Sequence, residues 1–99
     1  VKEDSARKSR IEWIVPNAQR NEMEPIRLTL EKGGSTIPDN PHEGEEFGYV
    51  ISGSVEVHIG KEKYAVGEGE SFYIYPDEEH YISSPAGAEL IWGRTPPSF

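Results

Sequence analysis

Apolar and polar residues alternate with a period of two along much of this chain. In Ile26-Arg27-Leu28-Thr29-Leu30-Glu31 and again in Val55-Glu56-Val57-His58-Ile59 the alternation runs without a slip, as it does in a half-buried antiparallel strand. Eight prolines and ten glycines fall at short intervals, which leaves no amphipathic window of helical length. The pattern predicts strands over Arg10–Val15, Ile26–Glu31, Phe47–Ile51, Ser54–Ile59, Lys63–Val66, Ser71–Tyr75, Tyr81–Ser83 and Ala88–Trp92. Short strands with frequent turn residues between them imply an all-β sandwich or barrel.

Parity then assigns faces. If Glu46 points inward, Gly48, Val50 and Ser52 do too, while Phe47, Tyr49 and Ile51 point outward. The inward set is small, which suggests volume left for a ligand, and the outward set is large. A glycine in such a strand also marks a candidate bulge, which would flip the parity beyond it. The alternation of Val55-Glu56-Val57-His58-Ile59 puts His58 outward. Gly60 and Gly67-Glu68-Gly69 carry turn chemistry, since glycine tolerates positive φ. Residues 1–9 show no alternation and read as a linker or disordered segment, so the folded domain is expected over 10–99.

Size and charge narrow the function. A chain of 99 residues suits one domain with one core, and with no cysteine neither a disulfide nor a thiolate metal site can hold it. A formal charge of −8 argues against gripping a phosphate backbone, which requires lysine and arginine to displace counterions. Lys2, Arg7, Lys8 and Arg10 form a small basic cluster that reads as a solvated linker. No apolar run approaches the ~20 residues of a membrane span and no signal-peptide core is evident, so a cytoplasmic location is expected. Glu43, Glu45, Asp77, Glu78 and Glu79 predict an acidic rim.

Candidate chemistry lies in one spaced set. Gly34 is followed at fixed intervals by Asn40, His42, Glu46 and Gly53, with His80 further on. Residues two or four apart in extended chain share a face, so His42 and Glu46 can converge with His80 on one ion or one small ligand. Two imidazoles and one carboxylate suit a divalent transition metal (Zn, Ni, Mn or Fe) with positions left open. Asn40 would add a weak amide oxygen. The same residues also suit a metal-free hydrogen-bonded cluster in an organic-ligand pocket, lined further by Gly48 and Val50.

This spacing resembles the first motif of the cupin family, with Asn40 in the slot of the first histidine. The second motif is kept at Gly69 and His80, while Tyr75, Asp77 and Ser84 stand in its proline, glycine and asparagine slots. The runs HEGEEFGYVISG (42–53), GEGESFYI (67–74) and IWGRTPPSF (91–99) are similar to the C-terminal cupin domain of bacterial helix-turn-helix regulators of the XRE class. The resemblance implies a small jelly-roll barrel, a double-stranded β-helix, that senses a small-molecule effector or a metal. It also implies a DNA-binding helical domain upstream, outside this chain. The alternative is a stand-alone metal-dependent cupin enzyme, a dioxygenase or isomerase, although no nucleophile elbow or phosphate cradle specifies a reaction.

Association follows from the outward residues. Phe47, Tyr49, Ile51, Trp13, Ile14, Tyr73 and Tyr75 offer more apolar face than one small barrel buries, so a homodimer is expected. Phe99, beyond Pro96 and Pro97, is expected to tuck against the barrel or fray.

Overall fold

The computed structural model describes residues 1–15 and 23–96. Strand is the regular structure found among them. In chain order the strands are β1 (Lys2–Asp4), β2 (Ser9–Trp13), β3 (Glu24–Leu30), β4 (Gly34–Ser35) and β5 (Glu45–Ile59). They continue with β6 (Glu62–Gly67), β7 (Ser71–Ile74), β8 (His80–Ser84) and β9 (Ala88–Thr95). Among the described residues no helix is long and apolar enough to cross a membrane.

Every pairing is antiparallel, and β5 joins two faces of a curled sheet. Its first half lies between β9 and β7, with Gly48 opposite Trp92 and Phe72. Its second half lies between β6 and β8, with Val57 opposite Tyr64 and Ile82. The first face extends through β9 to β3, β2 and β1, and the second through β8 to β4. This is the jelly-roll arrangement expected.

Two predicted strands, Phe47–Ile51 and Ser54–Ile59, are therefore one 15-residue strand. The register with β9 shifts between Val50 and Ser52, and Gly53 sits at φ +78°. The extra residue lets the chain bend from one face to the other, and it flips the parity. Val50 is inward before the bulge and Val55 and Val57 are inward after it, while Ser52 is exposed. The inward placement expected for Ser52 fails for that reason.

The expectation of a patternless stretch over 1–9 also meets a difference. Lys2–Asp4 forms a strand on β2, with Lys2 opposite Ile11 and Asp4 opposite Ser9. Alternation does not signal it because a three-residue edge strand that is largely solvent-facing has no buried face to encode. Asp4 Oδ1 accepts from Arg7 N at 3.2 Å across the following turn. Phe99 lies outside the described residues.

The core is aliphatic with one indole. Ile26, Leu28 and Leu30 from β3, Leu90 and Trp92 from β9, and Ile74 and Ile82 pack against Val50, Val55 and Val57, all nearly inaccessible to solvent. His58 lies on the outer face as parity predicts, half-buried, stacked on Tyr81 at 4.1 Å between ring centroids. Its Nε2 lies 2.8 Å from Ser83 Oγ. Outward residues Tyr49, Ile51, Tyr73 and Tyr75 are exposed.

Candidate metal centre

Register places the polar residues at one end of this core. Glu46, the first inward residue of β5, stands opposite Arg94 on β9 and Ile74 on β7. Two residues along β9, Trp92 shares the inward face and donates its Nε1–H to Glu46 Oε1 at 3.0 Å. His80 opens β8, and a bridge with Asp39 fixes its backbone, with Asp39 N donating to His80 O at 2.8 Å and His80 N to Asp39 O at 3.0 Å. His42 follows on the loop into β5, its amide donating to Pro76 O at 2.9 Å.

Both imidazoles aim at one atom. His42 Nε2 is 2.7 Å and His80 Nε2 is 2.6 Å from Glu46 Oε2. The ring centroids lie 5.5 Å apart, tilted by 49°. The other ring nitrogens face backbone carbonyls, His42 Nδ1 that of Glu43 at 2.8 Å and His80 Nδ1 that of Glu78 at 2.9 Å. A carbonyl only accepts, so each Nδ1 carries its proton. Nε2 also faces an acceptor. It must therefore hold a second proton or give its lone pair to a cation placed between the three groups.

That arrangement fits a metal ion. Histidine ligands generally donate their second ring N–H to a carbonyl or carboxylate, which fixes tautomer and ring orientation. Here both do so, and ligand atoms of His42, Glu46 and His80 all lie within 4.8 Å of one another.

Arg94 adds a resident charge. Its Nη2 donates to Glu46 Oε2 at 3.1 Å and also to Asp39 Oδ2, with the guanidinium carbon 5.5 Å from the Trp92 ring centroid. The electrostatics reflect this crowd of donors. Burial, the largest single influence on Glu46, would raise its pKa, but the His80 hydrogen bond, the Arg94 charge and the remaining histidine contacts together lower it from 4.5 to about 2. For His80 burial acts to lower the pKa, and the hydrogen bonds to Glu46 and the Glu78 carbonyl, with the charges of Glu46 and Asp39, raise it above 6.5.

The expected site residues separate into two groups. His42, Glu46 and His80 meet. Asn40 is exposed on the loop, and its neighbour Asp39 is the residue that reaches the cluster, with Oδ2 3.7 Å from His80 Nε2. Gly48 does not leave room for a ligand, because a Cβ there would overlap the Phe72 ring from the paired strand. Val50 is part of the aliphatic core. The space adjoining the cluster lies on its other side, a cavity of about 180 Å³ lined by Ile11, Thr36, Ile37, Asp39, Trp92 and Arg94 together with Lys2, Asp4 and Ser9. Glu43, Glu45, Asp77, Glu78 and Glu79 are exposed, as a rim would be.

Asp39, Trp92 and Arg94 were not anticipated from the sequence. One signal for Arg94 was present, since it is in phase with the inward Ala88, Leu90 and Trp92 of the same strand. A charge in phase with an apolar face requires a partner, and Glu46 is the one inward carboxylate of the paired strand.

The family model for the cupin domain matches residues 26–93. No curated protein matches the chain. Among solved structures, an HTH_3 family transcriptional regulator from Vibrio cholerae superposes with a TM-score of 0.79 at 19% identity, over 92% of this chain and 52% of that one. The chain thus spans about half the length of that regulator. The Cupin_2 domain of an XRE family transcriptional regulator from Enterobacter cloacae gives a TM-score of 0.77 at 19% identity, over 92% and 99% of the two chains. Ectoine synthase from P. lautus gives 0.76 at 17% identity, over 93% and 67%. At these identities the likeness is one of fold.

Proposed function

This chain belongs to the cupin family, and we propose that it is the sensing domain of a bacterial transcriptional regulator, acting in the cytoplasm. In this reading His42, Glu46 and His80 hold a divalent transition metal (Zn, Ni, Mn or Fe), and a small-molecule effector binds beside them. DNA is contacted by a helix-turn-helix domain upstream of the sequence, not by this acidic domain. The observation that carries the metal assignment is the convergence of two Nε2 atoms on Glu46 Oε2 with both Nδ1 atoms tied to carbonyls. A bound ion would supply positive charge at that point and open positions for a ligand. The likeness to cupin domains of regulators supports the sensing role.

Plasma mass spectrometry of the purified chain tests the assignment. Near-stoichiometric metal that His42→Ala and His80→Ala each abolish is the expected result, and unchanged metal in both variants would sink it. For the regulator, the reading frame upstream of Val1 should encode a helical DNA-binding domain, and effector or metal should change that longer protein's affinity for its operator.

The enzyme reading, a metal-dependent dioxygenase or isomerase, draws on the likeness to ectoine synthase and on His42, whose side chain is 25% exposed while those of Glu46 and His80 are closed off. Turnover of a small-molecule substrate by the metal-loaded chain would favour it. We assign a second copy of the chain to the exposed face of Tyr49, Ile51, Tyr73 and Tyr75. Light scattering that finds only monomer at high micromolar concentration would refute the homodimer.

A further inference from the structure

The nitrogen of Arg94 that touches Glu46 Oε2 also touches Asp39 Oδ2. Its side chain is 5% exposed, so the charge is held inside the protein. The oxygen it occupies is the one on which His42 and His80 converge. A divalent ion at that point would face a guanidinium at close range with little water between, and like charges repel strongly where screening is weak. Glu46 cannot serve both cations at full strength.

Asp39 is the second half of the observation. Its Oδ2 is 3.7 Å from His80 Nε2, and two backbone hydrogen bonds hold it to His80. Asn40, the neighbour that occupies the motif slot, is exposed. Beside the guanidinium lies the cavity of about 180 Å³, with Asp4 on its wall. Arg94 therefore borders a place to move, and Asp4 on the same wall already meets Arg7, its Oδ2 3.7 Å from Arg7 Nε.

We propose that Arg94 is a resident counter-cation that a divalent metal displaces, and that Asp39, released by the displacement, joins His42, Glu46 and His80 as a fourth, oxygen ligand. This rests on the metal reading above and adds two residues to it. Metal affinity is then set by an exchange inside the protein, one guanidinium against one ion, and not by the three ligands alone. Arg94 acts as a positioning residue for the carboxylates, whereas Asp39 touches the ion.

Calorimetric zinc titration of the purified chain tests it, with folding checked by circular dichroism. Arg94→Met should bind zinc roughly tenfold tighter or more, because the competing charge is gone. Arg94→Lys keeps the charge but lacks the planar fork that bridges two carboxylates, and should bind roughly threefold tighter. The lysine variant carries the comparison if the methionine variant does not fold. Asp39→Asn should weaken binding by about tenfold. It should also change the visible absorption bands of the cobalt(II)-loaded chain, which report the ligand set. Zinc affinity unchanged or weaker in both Arg94 variants overturns the exchange, and a cobalt spectrum in Asp39→Asn identical to that of the unaltered chain overturns the fourth ligand. If instead His42→Ala and His80→Ala bind zinc as tightly as the unaltered chain, the metal reading itself fails. No zinc bound by any variant, Arg94→Met included, overturns both.

Discussion

In the first half of β5 the inward positions hold Glu46, Gly48 and Val50, and in the second half, past the bulge, they hold Val55 and Val57. Both halves are paired on each side and both alternate. In the second half the inward side chains need nothing but apolar neighbours, and the polar ones, Glu56 and His58, sit outside, where Lys63 and Ser83 meet them at 2.9 and 2.8 Å. In the first half a carboxylate takes an inward position and survives there because other strands bring donors to it: Trp92 and Arg94 from β9 and His80 from β8. A strand's inward face is thus apolar only by default. The register of its neighbours decides whether a charge can be held.

The largest effect expected from this difference is at Glu46. Glu46→Ala leaves the buried His80 and Trp92 Nε1–H without their acceptor and Arg94 with one carboxylate fewer, and should destabilise the chain by about 3–5 kcal/mol in denaturant unfolding. A cost below about 1 kcal/mol would mean that the two halves do not differ energetically.

Acid should act on the same half. The Glu46 pKa is about 2 folded against an ordinary 4.5, so its contribution is present above 4.5 and lost as the pH falls toward 2. The loss amounts to roughly 3 kcal/mol. His80 has the opposite sign. Its folded pKa lies above 6.5, so its contribution is present below 6.5 and lost as the pH rises through the folded value. Thermal melts of the chain without added metal should therefore show stability falling on both sides of a mildly acidic window. Glu46→Gln should flatten the acid side, and an acid limb as steep as that of the unaltered chain would show that other carboxylates produce it.

Gly48 sharpens the comparison within the first half. Its missing side chain is replaced by the Phe72 ring, so Gly48→Ala should cost about 1–3 kcal/mol by overpacking. Phe72→Leu in the same chain should recover part of that cost in a double-mutant cycle, and strict additivity would mean that the two residues do not share the space.

The smallest effect belongs to the outer face of the second half. His58→Ala removes one hydrogen bond and one ring contact at a half-buried position and should cost under about 1 kcal/mol. A larger loss in equilibrium unfolding would give the His58, Tyr81 and Ser83 group a structural weight equal to that of the inner cluster.

What could be read in advance follows from which constraints are local. The alternation in Ile26–Leu30 and Val55–Ile59 specifies which residues are inside, and the structure agrees there. The parity carried forward from Glu46 fails at Ser52, because one extra residue in a bulge reverses the phase beyond it, and alternation alone does not locate that residue. His42, Glu46 and His80 were legible through their motif spacing, although His42 reaches Glu46 across a bend at Glu43 and Gly44, with Gly44 at φ +107°, and not along one extended strand. Asp39 and Arg94 were not, since they are 55 positions apart in the chain and meet only because β9 pairs with β5 and His80 bridges to Asp39.

The sequence by itself determined an all-β domain without disulfides, its acidic surface, its principal strands and three convergent polar residues, because period, composition and short spacing are local properties. The tertiary structure decided the rest: that two strands are one, that Phe72 fills the space beside Gly48, that Asp39 and not Asn40 adjoins His80, and that Arg94 lies on Glu46. Each of these depends on the register between strands far apart in sequence, and register is settled by packing the whole sheet at once.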